Sequence, residues 1–289
     1  MKRLSFLFLG LVVACTSGGA STTTTASPST TSTTISASTT SAVTTPTTAP
    51  SGAGCGSEMA DAGLLATPAP AASDAEQLAA ITWDPDPQCE RFSLEFTSAE
   101  GAPATTSPLL EANFMRDAAV LRVFLDVEVT AVTDQLVQSG LVDRLYVVRQ
   151  SDRKLFVDFH LSIPALAAVG VSGSPGNIEI LLEPGGPAYE GAASFADNVV
   201  VVLPAPGPVV VPIDISGYSR NFEANTVVQV TQDGTVVAED FTTAADWSET
   251  WGEFGIAVSP EGSGPAELFV GEFSAQDGSP RGVILDIEY

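Results

Sequence analysis

Residues 216–243 read SGYSRNFEANTVVQVTQDGTVVAEDFTT. Two runs rich in β-branched side chains, 226–231 and 236–241, flank Gln232-Asp233-Gly234-Thr235. Asp-Gly supplies the positive-φ positions that a tight turn between twisted strands requires, so the stretch predicts a β-hairpin. Working outward, residues 209–215 open another strand. Phe254, Ile256 and Val258 alternate with polar or small residues, as do Leu268, Val270 and Glu272. Val283, Leu285, Ile287 and Tyr289 complete the pattern. Seven or so short strands with turn signals every ~8–12 residues predict an immunoglobulin-like sandwich over residues 209–289.

Pro204-Ala205-Pro206-Gly207-Pro208 precedes this unit. Repeated proline stiffens a connection, and residues 204–208 are expected to be a linker. Upstream, residues 55–203 are again strand-rich. Phe92, Leu94 and Phe96 share one face, as do Leu121, Val123, Leu125, Val127 and Val129. Leu155, Val157, Phe159 and Leu161 alternate with Phe156, Asp158 and His160. Period two places one set inward and the other outward, which puts His160 on a solvent-facing side. The continuous run Val199–Leu203 predicts a strand buried on both faces. Asp74 and Glu76 suit the first turn of a short helix over 73–81. The fold class expected is all-β: two β-sandwich domains, the second immunoglobulin-like, after a disordered N-terminal stalk.

The chain begins MKRLSFLFLGLVVAC. Lys2 and Arg3 precede an apolar run too short to span a bilayer, the pattern of an export signal. Val12-Val13-Ala14-Cys15 resembles the lipobox of bacterial lipoproteins. That resemblance implies removal of residues 1–14, acylation of Cys15 with palmitate-type chains, and a body facing outward from a cell membrane. Two acyl chains give firm anchoring where one does not. An ordinary signal peptide with a chance cysteine is the alternative. Residues 15–54 are almost entirely Thr, Ser, Ala, Pro and Gly. Such a composition cannot offset the entropy of ordering, so a disordered stalk is expected, of a composition that suits O-glycosylation. Its length would reach ~120 Å extended, or ~35 Å as a coil.

Eleven basic residues stand against 35 acidic ones, a net charge of −24. Losing Lys2 and Arg3 would take this to −26. Nucleic acid is excluded as a partner, because phosphate contacts need clustered positive charge. Charge-driven adhesion to anionic lipid is disfavoured for the same reason. Cys55 and Cys89 are the two cysteines besides Cys15. Export and an even number point to one disulfide, the rival being a catalytic thiol.

Residues 216–243, followed by PAELFVGEFSAQDGSP at 265–280, resemble the Gmad-type immunoglobulin-like domain of bacterial envelope and spore-germination proteins. The resemblance implies a sandwich and an envelope location, and supplies no catalytic site. CGS at Cys55, QCERFSLEF from Gln88, LYVVRQSDRKLFVDFHL and SPGNIEILLEPGG resemble an AMIN-like domain of actinobacterial lipoproteins. That likeness implies a small β-sandwich that targets the envelope, often through peptidoglycan.

No catalytic motif stands out. One histidine cannot furnish a His-rich zinc shell, and no nucleophile-elbow or phosphate-loop signature is present. Asp126 with Glu128, and Asp240, Asp246, Glu249 and Glu253, are carboxylates that can be paired on paper. A glycosidase needs two such groups about 5–10 Å apart in a cleft. Calcium at Asp246, Glu249 and Glu253 lacks a regular loop pattern. The segment 241–254, FTTAADWSETWGEF, carries Trp247 and Trp251 four residues apart. On a helical turn they would share a face, where exposed indoles beside carboxylates stack on sugar rings. Alternatively one or both fill the sandwich core. The expectation is a non-enzymatic envelope lipoprotein without metal or cofactor, binding cell-wall glycan or partner proteins, with Trp247 and Trp251 as candidate ligand-binding residues. The alternatives are an accessory to a germination-like or wall-remodelling system, and a glycan hydrolase.

Overall fold

The computed structural model describes residues 55–67, 72–137 and 139–289. The expected signal peptide, Cys15 and the expected stalk lie outside the described residues. Among the described residues there is no α-helix, only strands and one 3₁₀ turn. In chain order the strands are β1 (Gly63–Ala66), β2 (Gln77–Asp84), β3 (Glu90–Thr97), β4 (Leu109–Met115), β5 (Val120–Leu125), β6 (Val129–Thr130) and β7 (Asp134–Leu136). Next come β8 (Val142–Arg149), β9 (Leu155–Leu161), β10 (Ala165–Val171), β11 (Ile178–Pro184), β12 (Ser194–Phe195), β13 (Val199–Leu203) and β14 (Gly207–Pro208). The last are β15 (Ile213–Ser219), β16 (Asn225–Gln232), β17 (Thr235–Thr243), β18 (Trp251–Val258), β19 (Pro265–Phe273) and β20 (Pro280–Glu288).

They form three sheets. One, in the order β10-β11-β3-β2-β6, and another, β14-β20-β19-β16-β17, have five strands each. The third runs β1-β4-β5-β9-β8-β18-β15-β13-β12, with β7 added beside β8. This long sheet serves both sandwiches. Its first half packs on the β3 sheet through Phe92, Leu94, Phe114, Leu121, Leu145 and Phe159. Its second half packs on the β16 sheet through Val199, Val201, Ile215, Val228, Val270 and Leu285. Inward residues of both cores recur at every second position, as sheet pleating requires.

The hairpin read from residues 226–241 is present, β16 pairing antiparallel with β17 around Asp233 and Gly234. Both turn residues have positive φ, 51° and 75°, the geometry the Asp-Gly pair was expected to supply. Cys55 and Cys89 are disulfide-bonded with Cα atoms 5.1 Å apart.

Three local readings change. The helix expected over 73–81 is absent, and residues 77–84 are strand β2. Asp74 caps no helix; its carboxylate accepts hydrogen bonds from the N–H groups and hydroxyls of Thr105 and Thr106, at 2.6–3.0 Å. Val199–Leu203, expected to end the middle unit, pairs with β15 of the C-terminal unit, and its Val199 and Val201 side chains lie in that unit's core. The proline-rich run 204–208 therefore joins strands of one sandwich. Finally, β9 is buried along its whole length, Asp158 and His160 included, because its second face is covered by the C-terminal unit.

Candidate functional site

The two sandwiches meet at a seam that the sequence did not announce. Trp251 and Gly252 of β18 pair in parallel with Val148 and Arg149 of β8, so hydrogen bonding runs unbroken from one unit into the other. Across the seam, Tyr146, Val148 and Phe156 pack against Val200, Val202, Tyr218 and Trp251. Trp251 stands edge-on to Tyr146, with ring centroids 4.8 Å apart. Such pairs add modestly to the large apolar area each ring buries.

A polar layer crosses this aromatic cluster. Arg122 donates two bonds of 2.8 Å to Asp158, and its guanidinium lies 3.9 Å from the centre of the Phe156 ring. Bidentate geometry offsets much of the cost of burying both charges. Burial pushes the Asp158 carboxyl up, opposed by Arg122 and the Tyr218 hydroxyl. His160 Nε2 and the Tyr218 hydroxyl are 2.5 Å apart. Burial, with the charges of Arg144 and Arg122, pushes His160 down to about 3. Burial also raises Tyr218 well above its ordinary value, so its hydroxyl keeps its proton. His160 is thus a neutral internal hydrogen-bonding group. The surface position expected for it does not hold, since alternation along β9 cannot report a second covering layer.

The segment 244–250 is an irregular loop whose acids are occupied. Asp246 Oδ1 accepts from the N–H groups of Trp247, Ser248 and Glu249 at 2.6, 3.0 and 3.3 Å. Its Oδ2 accepts from Thr250 N–H at 3.2 Å and from Arg149 Nε at 3.0 Å. Burial pushes this carboxyl up, but the Ser248 N–H, Arg149 and the neighbouring N–H groups outweigh it and hold it below the ordinary Asp value. Arg149 also reaches Glu249 at 3.2 Å and the carbonyls of Glu128 and Arg153 at 2.8 and 3.1 Å. Gly252 makes the close packing of this loop feasible, because a Cβ there would fall 2.2 Å from both N and O of Asp246. Glu253 turns to Arg122 at 3.8 Å. Asp246, Glu249 and Glu253 therefore neutralise arginines rather than converge. Among the described residues no group of three or more His, Cys, Asp or Glu side chains could hold a metal ion. Asp126 and Glu128 likewise pair with Lys154 and Arg153 at 2.8 and 3.1 Å.

With no helical turn, the two tryptophans take different positions. Trp251 is buried, and its Nε1 donates to Asp134 at 3.3 Å. Trp247 is 39% exposed and stands edge-on to the exposed Phe222, with centroids 5.6 Å apart. Both nonetheless line one groove. Two adjoining hollows of about 420 and 490 Å³ follow the seam and share Asp134, Asp197 and Trp251. The first adds Gln135, Arg144, Tyr146 and Phe195; the second adds Asn198, Arg220, Phe222, Trp247 and Glu272. Arg144 lies 3.6 Å over the Phe195 ring. The Gln135 Oε1 is buried with no hydrogen-bond partner among the described residues, an unsatisfied acceptor beside the first hollow. Asp134, Phe195, Arg220 and Phe222 were not singled out from sequence. They belong to separate strands and loops, and only the seam assembles them.

Residues 198–279 match the family described as the immunoglobulin-like domain of bacterial spore germination. The matched stretch begins one residue before β13, in agreement with the placement of that strand in the C-terminal sandwich. Neither comparison with curated proteins nor comparison with solved structures returned a match.

Proposed function

We propose that this chain is a non-catalytic, lipid-anchored binding protein of a bacterial cell envelope, and that the seam groove takes a neutral, hydroxyl-rich glycan of the cell wall. The observation that carries the reading is the groove lining. Trp247, Phe222 and Phe195 offer exposed apolar ring surface, onto which sugar rings stack. Between them stand carboxylates of Asp134 and Asp197, guanidiniums of Arg144 and Arg220, and the amide of Asn198. Sugar hydroxyls both donate and accept, so a lining of mixed sign suits them better than it suits a charged ligand. Asp134 Oδ1 accepts from Trp251 Nε1 at 3.3 Å and from the Thr133 hydroxyl at 3.1 Å, with Arg220 at 3.9 Å, so among the described residues its Oδ2 is left to accept from a ligand.

Anchoring rests on the lipobox-like Val12-Val13-Ala14-Cys15, and envelope targeting also on the AMIN-like stretches of residues 55–203. The test uses the body from residue 51, which is one compact unit. It is titrated with purified peptidoglycan and with neutral wall oligosaccharides while tryptophan fluorescence is followed. Saturable binding that Trp247→Ala weakens about tenfold, a change of ~1.4 kcal/mol, supports the reading. No binding at low salt, with or without calcium, overturns it. Release of reducing sugar by the body would overturn the non-catalytic part. A Cys15→Ser variant that stays in the membrane after salt and carbonate washing would overturn the anchor.

A second reading has one observation in its favour. The family matched by residues 198–279 is described from spore germination, so the chain would serve as an accessory in a germination-like or wall-remodelling system, acting through a partner enzyme. Cross-linking and co-purification of such an enzyme would favour this reading over direct wall binding.

A further inference from the structure

We propose that the outer face of the sheet β14-β20-β19-β16-β17 docks a basic protein segment, with apolar side chains at one end of the contact and lysine or arginine at the other. This face is on the side of the sandwich away from its core, where polar residues are the rule. Register gives its content row by row. Gly282, Gly271, Val227 and Phe241 stand abreast across four strands. Ile284, Phe269, Gln229 and Glu239 form the next row. Phe241 is 67% exposed, Ile284 60% and Phe273 43%.

The paired glycines give this face its shape. A Cβ at Gly282 would come within 3.0 Å of the Phe269 ring, and one at Gly271 would strike the Arg281 carbonyl at 2.1 Å. The Phe269 ring therefore lies over Gly282, with its centroid 5.2 Å from that of Phe273. Large apolar side chains left exposed together on one sheet face mark an interaction site.

Charge decides the occupant. Beyond these two rows, a hollow of about 410 Å³ is lined by Asp233, Glu267 and Asp286. None of these three forms an ion pair among the described residues. A second copy of this chain, at −24, would bring like charge to the same place and be repelled. An anionic bilayer would be repelled too. A basic protein segment is attracted and can satisfy both ends. Four residues of strand separate Phe241 from the level of Glu267, about 13 Å at ~3.3 Å per residue. The matching segment, if extended, carries its cation four residues from its apolar contact.

The test is fluorescence anisotropy of the body from residue 51 with a labelled extended peptide. The probe has two alternate valines, threonines between, and lysines four residues further on. Phe241→Ser with Ile284→Ser should weaken binding about tenfold without altering net charge, and Glu267→Gln with Asp286→Asn should do the same. Glu100→Gln with Asp84→Asn, an equal charge change far from this face, should alter it less than about twofold. Circular dichroism and the thermal midpoint establish that each variant is folded. Equal loss in the remote pair would reduce the contact to general attraction and overturn the proposal. So would a dimer in sedimentation that Phe241→Ser with Ile284→Ser dissolves, or binding to phosphatidylserine vesicles lost in that same variant. The probe presents no sugar and the variants leave the seam groove untouched, so failure here leaves the glycan reading standing.

Discussion

Acidification between pH 7 and 5 interrogates the seam at a single imidazole. His160 is the chain's one histidine. In the folded protein burial and the charges of Arg144 and Arg122 hold it at about 3, against 6.5 ordinarily. The unfolded chain therefore takes up a proton that the folded chain refuses. The stabilisation from this group is complete above pH 6.5 and is lost as pH falls from there toward 3. Each unit well inside that window costs about 1.4 kcal/mol, and the loss from pH 7 to 5 comes to roughly 2 kcal/mol. Tyr218 and Tyr146 face the imidazole, Arg122 and Arg144 are the charges that act on it, and Asp158 and Glu253 pair with Arg122. The tyrosines are raised by burial and the arginines stay charged, so none of these four titrates in the window. Burial raises Asp158 and Glu253, and a raised carboxyl gains stability on acidification, which acts against the histidine. His160→Gln separates the contributions, because glutamine still meets the Tyr218 hydroxyl but cannot titrate. Urea unfolding of the body from residue 51 at fixed ionic strength should show the parent losing about 2 kcal/mol more than the variant between pH 7 and 5. Parallel declines would mean that His160 takes up its proton as readily in the folded protein as in the unfolded chain, and the account of the seam would be wrong.

Three further outcomes follow from the same contacts. Arg149→Ala strands the Asp246 carboxylate in the seam and should cost about 3 kcal/mol in chemical denaturation, with hydrogen exchange accelerating first in residues 246–250. Gly252→Ala places a methyl against the Asp246 backbone and should cost about 1–3 kcal/mol, while quenching of the exposed Trp247 by acrylamide increases. Replacing Cys55 and Cys89 by serine reopens a loop of 34 residues and should lower stability by about 3–4 kcal/mol, read as a lower urea midpoint that reducing agent no longer shifts.

Local chemistry made the strands and the hairpin legible. Asp233-Gly234 names its own turn, and β3 and β5 display their inward faces by alternation alone. Apart from the Cys55–Cys89 pair, the readings that depended on a distant partner were the ones that failed. Asp74 has the appearance of a helix start, yet its hydrogen bonds go to Thr105 and Thr106, across the chain. The proline run 204–208 has the appearance of a boundary, yet both flanking strands belong to one sandwich. His160 alternates as a surface residue should, until a second sandwich covers it. Trp247 and Trp251 were found by residue type. Their positions, one at the rim and one at the floor, follow from β18 pairing with β8, and no sequence spacing encodes that pairing.

A domain is commonly treated as a portable unit, copied between genes and spliced into new company. The parallel pairing of β18 with β8 removes that freedom here. Excising residues 198–279 would bare Val200, Val202, Tyr218 and Trp251, and would leave β8 with an open edge and Arg122 beside an uncovered Asp158. The immunoglobulin-like unit has traded interchangeability for a fixed neighbour, so engineering must move the two sandwiches as one piece.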